Sequence, residues 1–584
     1  MKKISYILSA AAIAMAGLTS CTLDAINYTE KDTSNFPLTS EDADQALAGI
    51  YQNLNVPNAT PQCSFYYVAQ LAGDDALGGG GENDMLMQAE DLMMVSTDNM
   101  TQQFWIDRYA GINRANSLLD GINNISLAES QKNQIAGEAK FLRAFFYYEL
   151  SSMYGNVPLV ITSSAAQPVQ PTAAELWGQI LQDLYEAAST MPAQRLTNGH
   201  VDKYTASAML ARAWLYYTGM YCNGEELADL VSTNYSPLTS VTLPNGETLT
   251  KQQVITLVDE AVNNSGYSLV PDFRNLWAYT NRFTVEDFDY TKGQGLKWVE
   301  DDNAINPESM FAVKFNKQAS WSTTIGYANG YALHFGVRGT AVFPFGAGWG
   351  AGPVAMNLVN DWKSAEPNDK RRDATIQDMS KLSGFALGGG GDYMQESGFY
   401  GMKLSPVEAN AVKDDGTPYV SVCFENLMYP GGWDVAGAEN MQLNNIHDMV
   451  LIRFADLLLM QSELKEDVTG INKVRERAGL PAINGYSLQA LQNERRWELA
   501  MEGIRWNDIR RWHIAADALD KQQGIDIYNK GVATTNTPHG GGYKARYNAT
   551  AGFQKIPENQ VALSEGGIVQ NPGWEGADTQ YTGW

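Results

Sequence analysis

Between residues 41 and 221, apolar side chains return every three or four positions in five successive stretches, and this period constrains the fold more than any other feature. The spacing predicts helices over 41–53, 102–122, 172–190 and 203–221, with a further one carrying Ile135, Leu142, Phe146 and Leu150 on one face. Thr39 or Ser40 supplies an N-cap for the first of them. Ala206, Ala208, Ala211 and Ala213 leave room for a neighbouring helix to approach closely. The pattern returns over 448–462, 471–478, 487–501 and 506–519, where Met449-Val450-Leu451-Ile452 and Leu457-Leu458-Leu459-Met460 predict a central helix, apolar nearly all round. Methionines and rings in these stretches read as core. Leu176-Trp177-Gly178, Leu184-Tyr185 and then Ala208, Ala211 and Trp214 echo the tetratricopeptide pattern, although the connection 191–201 is longer than that repeat uses. Stacked helix pairs around a continuous core are the architecture this predicts.

Between the helical blocks the composition changes. Residues 273–349 hold 16 aromatic residues in 77 positions, and from 318 to 360 the only formal charge is Arg338, with His334 beside it. Gly, Ala, Asn, Ser and Thr fill the remainder, which predicts short strands and loops. Two runs, Leu77 and Leu387 each followed by four glycines and an acidic residue, read as flexible loop tips, and neither continues into the Gly-Lys-Ser/Thr of a phosphate-binding loop. The stretch 78–97 is rich in methionine (Met85, Met87, Met93, Met94) and holds no aromatic.

Charge excludes whole classes of partner. The 584 residues carry 41 Lys plus Arg against 66 Asp plus Glu, a net charge of −25, which would repel nucleic acid and leaves no basic surface for a membrane. Catalytic patterns are sparse. There is no His-Glu-x-x-His and no Gly-x-Ser-x-Gly among the residues, and the acidic pairs Asp74-Asp75, Asp301-Asp302 and Asp414-Asp415 read first as solvated loops. A glycosidase needs only two carboxyls, so that reading stays open. No metal or cofactor is expected.

The N-terminus reads as an address. Lys2 and Lys3 precede an apolar run over 4–18, too short to span a bilayer permanently, and Leu18-Thr19-Ser20-Cys21 resembles a bacterial lipobox. The resemblance implies cleavage after residue 20 and lipid on Cys21; an ordinary secretory signal with a chance cysteine is the alternative. Cys63, Cys222 and Cys423 are more than 150 residues apart and form no disulfide framework.

A longer motif lies near the C-terminus: Asn493-Glu494-Arg495-Arg496-Trp497-Glu498-Leu499-Ala500-Met501-Glu502-Gly503-Ile504-Arg505-Trp506-Asn507-Asp508-Ile509-Arg510-Arg511-Trp512. Together with Ile135 to Ala144, Asn156-Val157-Pro158-Leu159-Val160, Ile452-Arg453-Phe454-Ala455-Asp456, and Ile556-Pro557 through Asn571-Pro572-Gly573-Trp574, it resembles the SusD/RagB family of outer-membrane nutrient-binding lipoproteins. The motif's charges, four or fewer residues apart, predict one-turn ion pairs on a helix, and its tryptophans predict packing, so it reads as scaffold and not as ligand site.

The resemblance implies a mainly α fold: a signal peptide over 1–20, then one body over 21–584, with a tetratricopeptide-like scaffold over 39–270 and 446–520 and a loop-rich ligand-binding portion over 271–445. It implies a non-enzymatic protein, lipid-anchored on the outer membrane and facing outward, that captures oligo- or polysaccharide for a SusC-like TonB-dependent transporter. A sugar ring offers an apolar face to aromatic rings and a fringe of hydroxyls to polar side chains. The expected platform therefore comes from Trp277, Trp321, Tyr327, Tyr331 and Trp349, with Asp74 and Asp75 accepting sugar hydroxyls. The low charge of 318–360 favours a neutral glycan. Capture of peptides or another nutrient, and glycoside hydrolysis, are the competing readings.

Overall fold

The computed structural model describes residues 36–37, 39–164, 169–301, 304–315, 328–339, 342, 344–387, 391–412, 416, 418–422, 445, 447–576 and 579–584. The signal segment, Cys21, Trp321, Tyr327 and Cys423 lie outside them. Among the described residues, no helix is long and apolar enough to cross a membrane.

The first half of the chain is a row of helices. They are α1 (Ser40–Asn55), α2 (Phe65–Leu71), α3 (Met85–Asp91), α4 (Gln102–Gly121), α5 (Glu129–Tyr154), α6 (Ala173–Thr190), α7 (Lys203–Met220) and α8 (Lys251–Asn264). From α4 to α8 each helix packs on the next, and α8 hands the row on to the C-terminal helix α9 (Phe454–Lys465), followed by α10 (Thr469–Arg477), α11 (Leu488–Leu499) and α12 (Arg505–Arg511). The ends of these helices are written locally. Thr39 with Asp42, Thr172 with Glu175, and Thr250 with Gln253 form reciprocal capping boxes at α1, α6 and α8, satisfying amides that a first turn leaves unpaired. Helix α5 stops at Gly155, whose φ of 73° suits glycine. Trp177, Trp214, Trp506 and Trp512 are all fully buried in the core that runs through the row.

Four segments depart from the sequence reading. The run Met449–Arg453 is a strand, β2, paired antiparallel with β1 (Ser309–Val313) so that Met449 faces Val313 and Arg453 faces Ser309. A short apolar run has no period to separate strand from helix, and its partner lies more than a hundred residues away. The predicted helix over 506–519 is broken into α12 and Ala515–Asp520, with His513 at a φ of 58° between them. Asp74-Asp75, read as a solvated loop, is buried just after helix α2, which Ser64 caps by accepting from the Tyr67 amide. Leu77 and its glycines are buried, not a flexible tip: a Cβ on Gly79 would stand 2.3 Å from the Gly350 carbonyl oxygen.

The C-terminal motif lies at the centre of a buried ionic network. Glu498, on α11, accepts from Arg371, Arg453 and Arg477. Arg453 also reaches Glu308 at 2.8 Å and Glu502 at 2.8 Å, and Arg371 reaches Glu494 at 2.7 Å. These pairs join distant elements instead of neighbouring turns of one helix. Burial alone would raise the Glu498 carboxyl, but Arg477, Arg453 and Arg371 outweigh it and hold the group well below the usual carboxylate range. Asp456, burial likewise opposed by Arg495 and Arg212, falls from an ordinary 3.8 to about 2.

Two expectations follow. A carboxylate held low in the fold contributes stability that is present above its unfolded value and is lost as pH falls through the folded one. Acid unfolding should therefore be steep between about pH 4 and 2, and Glu498→Gln should cost roughly 3–5 kcal/mol at pH 7, read by chemical denaturation, because it leaves arginines buried without their partner. Gly470 begins α10 where a Cβ would lie 1.9 Å from the Leu458 carbonyl oxygen. Gly470→Ala should cost about 2 kcal/mol through overpacking, and an unchanged melting temperature would refute this account of the α9–α10 contact.

Candidate functional site

Asp74 and Asp75 are not presented to ligand. Both are buried under the C-terminal motif: Arg505 clasps Asp74 at 2.7 and 2.9 Å, and Arg496 reaches Asp75 at 2.7 Å. Burial would raise Asp74, yet Arg505 and Arg496 hold it below the ordinary range. These acids tie the first part of the chain to α11 and α12, so the expectation that they accept sugar hydroxyls is corrected.

The rings of 273–349 mostly form a second core. Trp277 is buried beside Phe273, with the Lys403 ammonium 4.9 Å from its ring centre. Tyr331 is buried edge-on against Tyr66 at 5.4 Å. Neither can serve as an open platform. Trp349 is half-buried, its ring 4.4 Å from that of His334. The sequence shows that this stretch is aromatic; the core explains it, because a loop-rich region with few helices still needs apolar volume to fold around.

Arg338, the lone charge of 318–360, pairs with Asp84 at 2.7 Å and Asp392 at 2.6 Å. It thereby pins two glycine-run loops together, with the Glu82 amide donating to the Asp392 carbonyl at 2.9 Å and Met394 to Gly80 at 3.0 Å. The single arginine is structural.

A cleft of about 560 Å³ opens instead between the helical row and β1. Helix α1 contributes Tyr51 and Asn55, the connection between α6 and α7 contributes Arg195, Asn198 and His200, and β1 with the residues after it contributes Phe311 and Lys314. Glu300, Asn306 and Asp448 complete the opposite wall. The strand pair explains why Lys314 and Asp448 meet: the β1–β2 register brings Val313 opposite Met449, and the next residue outward on each strand forms an ion pair. Beyond that pair, Asn329 donates to the His447 carbonyl at 3.0 Å and Asn58 accepts from the Gly330 amide at 2.8 Å, so the residues after α1 are tied through Asn329 and Gly330 to the segment before β2. Arg195 lies over the Tyr267 ring at 4.2 Å. The cleft thus offers amides, basic groups and carboxyls within one concave surface of the size small-molecule sites usually have, while its rings Phe311 and Tyr267 are buried in the wall. None of the seven ligand residues expected from the sequence lines it among the described residues. What marked it in advance was the overlong 191–201 connection.

A family model described as the SusD family matches residues 280–574, just over half of the chain. The chain belongs to the SusD family. A second model, described as starch-binding associating with outer membrane, matches residues 23–218 of this SusD-family chain. SusD-like protein P2 of Formosa agariphila is 24% identical over 512 residues, covering 83% of this chain and 86% of the relative. A solved laminarin binding SusD-like protein superposes with a TM-score of 0.63 at 24% identity, over 91% of this chain and 99% of the other. Surface glycan-binding protein A from Bacteroides thetaiotaomicron in complex with laminarihexaose superposes with a TM-score of 0.62 at 18% identity, over 91% of this chain and 99% of the other.

The electrostatics of the cleft are testable without a ligand. Burial, then the neighbouring Asp448 charge, push Glu300 from an ordinary 4.5 to about 8, while Asn306 donates to it at 3.0 Å. A carboxyl raised in the fold binds its proton more tightly than in the unfolded chain, so its contribution to stability is lost as pH rises from about 4.5 to 8. Glu300→Gln keeps an acceptor for Asn306 and removes the titration. The variant should lose less stability than wild type between pH 5 and 8.5, and identical slopes would show that Glu300 is already ionised at neutral pH.

Proposed function

We propose that this SusD-family protein is a cell-surface glycan-binding lipoprotein, anchored through lipid on Cys21 to the outer membrane and facing the exterior. It captures an oligo- or polysaccharide and delivers it to a SusC-like TonB-dependent transporter. The observation that carries the reading is the open cleft, in which amide, imidazole, guanidinium and carboxyl groups converge, on a chain with a family model named for starch binding. The hydroxyl fringe of a sugar needs such groups. Within the cleft Lys314 is paired with Asp448 and His200 with Glu138, and burial pushes the Glu300 carboxyl toward its protonated form, so the lining charge is mostly offset internally, Arg195 excepted. That supports a neutral glycan. Trp321, Tyr327 and Trp349 remain proposed ring contacts, the first two outside the described residues.

A second reading, glycoside hydrolysis, rests on Glu300 and Asp448 facing one cleft, with burial pushing Glu300 toward its protonated form. The ion pair with Lys314 occupies Asp448, which favours binding over catalysis.

Native gels containing single polysaccharides separate the two. Expected are retardation by a neutral glycan, no new reducing ends after incubation, and at least about tenfold weaker retardation for Ala304→Trp, which places a large side chain at an exposed position lining the cleft. New reducing ends that disappear in Glu300→Gln would replace capture with hydrolysis. Retardation untouched by Ala304→Trp would move the ligand to another face, and Trp349→Ala would then be the next variant.

A further inference from the structure

The connection over 191–201 is longer than a tetratricopeptide helix pair uses. It nevertheless has a defined form. The Leu196 amide donates to Asp202 at 3.0 Å, the Val201 amide donates to the Tyr51 hydroxyl at 2.8 Å, and Arg195 donates to the Gly266 carbonyl at 3.0 Å while covering Tyr267. Gly199, at a φ of 90°, turns the chain immediately before His200. Residues 195 to 201 all line the cleft.

His200 is held in an arrangement that surface histidines seldom have. Its Nδ1 lies 2.8 Å from Glu138 Oε2, and Glu138 is a buried carboxylate on α5. The same oxygen accepts from the Tyr51 hydroxyl, and Gln134 donates to the other carboxylate oxygen at 2.8 Å. The Tyr51 ring stands edge-on to the imidazole at 5.6 Å. A carboxylate on Nδ1 fixes both the tautomer and the plane of the ring, leaving Nε2 to face outward. The side chain is 44% exposed, and among the described residues Nε2 has no partner. A buried carboxylate, a tyrosine and a glutamine are thus spent on orienting one nitrogen at the wall of the cleft.

We infer that the 191–201 connection is a ligand-binding element of the glycan cleft, with His200 Nε2–H donating to an oxygen of the bound glycan and Glu138 acting as the residue that positions the ring. This rests on the reading of the cleft as the glycan site. The charged and titratable groups facing the ring are Glu138 from α5, Asp44 and Tyr51 from α1, Asp202 at the end of the connection, and Glu300, Lys314 and Asp448 across the cleft. The hydrogen bond to Glu138 raises His200 above its ordinary 6.5. A ring that is protonated near neutral pH donates from Nε2, and one that has lost that proton cannot. Affinity should therefore fall as pH rises through the His200 titration.

The experiment uses the full chain in detergent, with laminarin, xylan, glucomannan and polygalacturonate as probes, titrated calorimetrically from pH 6 to 9. Histidine-labelled protein is followed by NMR in parallel. The wild type should bind one of the neutral glycans about fivefold more tightly at pH 6 than at pH 9. His200→Ala should bind it about five- to tenfold more weakly at pH 6 and lose the pH dependence, with His200→Gln restoring part of the affinity. Glu138→Gln should lower the His200 titration seen by NMR, a signature that a loop-packing role alone would leave in place once the histidine is otherwise unmoved. Wild-type affinity in His200→Ala, or a pH dependence that survives it, overturns the assignment of His200 while leaving the glycan reading intact. Tightest binding to polygalacturonate would place a carboxylate, not a neutral oxygen, opposite His200 and overturn the neutral ligand. Failure of the wild type to bind any of the four sinks the glycan reading and this inference together.

Discussion

The structure depends on one group of buried charges. Glu498 sits among Arg371, Arg453 and Arg477, and through them Glu308, Glu494 and Glu502 are drawn into the same interior. Removing so many charges from water costs several kcal/mol for each ion, and mutual attraction offsets this only when every lone pair and proton is matched. Apolar packing of similar volume could stabilise the fold as well. What an ionic network adds is selectivity: each guanidinium favours one arrangement of its carboxylates, so segments more than a hundred residues apart can meet in one register. Arg371 belongs to the loop-rich portion, Arg453 to the end of β2, and Glu498 to α11, so this network holds the loop-rich portion to the helical row.

The same logic governs the residues whose role changed on inspection of the fold. Asp74 and Asp75 look like free acids in a loop, but Arg496 and Arg505 of the C-terminal motif claim them. Arg338 looks like a lone charge in a neutral stretch, but Asp84 and Asp392 claim it. Trp277 and Tyr331 look like a sugar platform, but the non-helical portion needs them as its core. In each case the cost of leaving a charge or a large ring unsatisfied is met inside the molecule before any ligand arrives. Polar groups that the interior leaves accessible collect along the cleft between α1, the 191–201 connection and β1.

Helix pairs carry the site without lining much of it. The row from α4 to α8 supplies a rigid back, and only α1 and an overlong connection reach the cleft. A scaffold of this kind tolerates change in its connections, because the capping boxes and tryptophan packing that define each helix lie elsewhere. Ligand preference can then vary among members of the family on one frame.

Most of the fold was legible in the residues. The helical period marked α1, α4, α6 and α7 to within a few positions and one face of α5, and the closely spaced charges and tryptophans of the C-terminal motif marked it as scaffold. Charge alone set nucleic acid aside. These properties are local or additive, so a chain reports them before it folds. The strand at Met449–Arg453, the partners of Asp74 and Asp75, the burial of Trp277 and Tyr331, and the cleft itself were decided only by tertiary structure. Each depends on a partner far away in the chain, and neither hydrophobic period nor residue type specifies which distant group will desolvate a ring or pair with a charge.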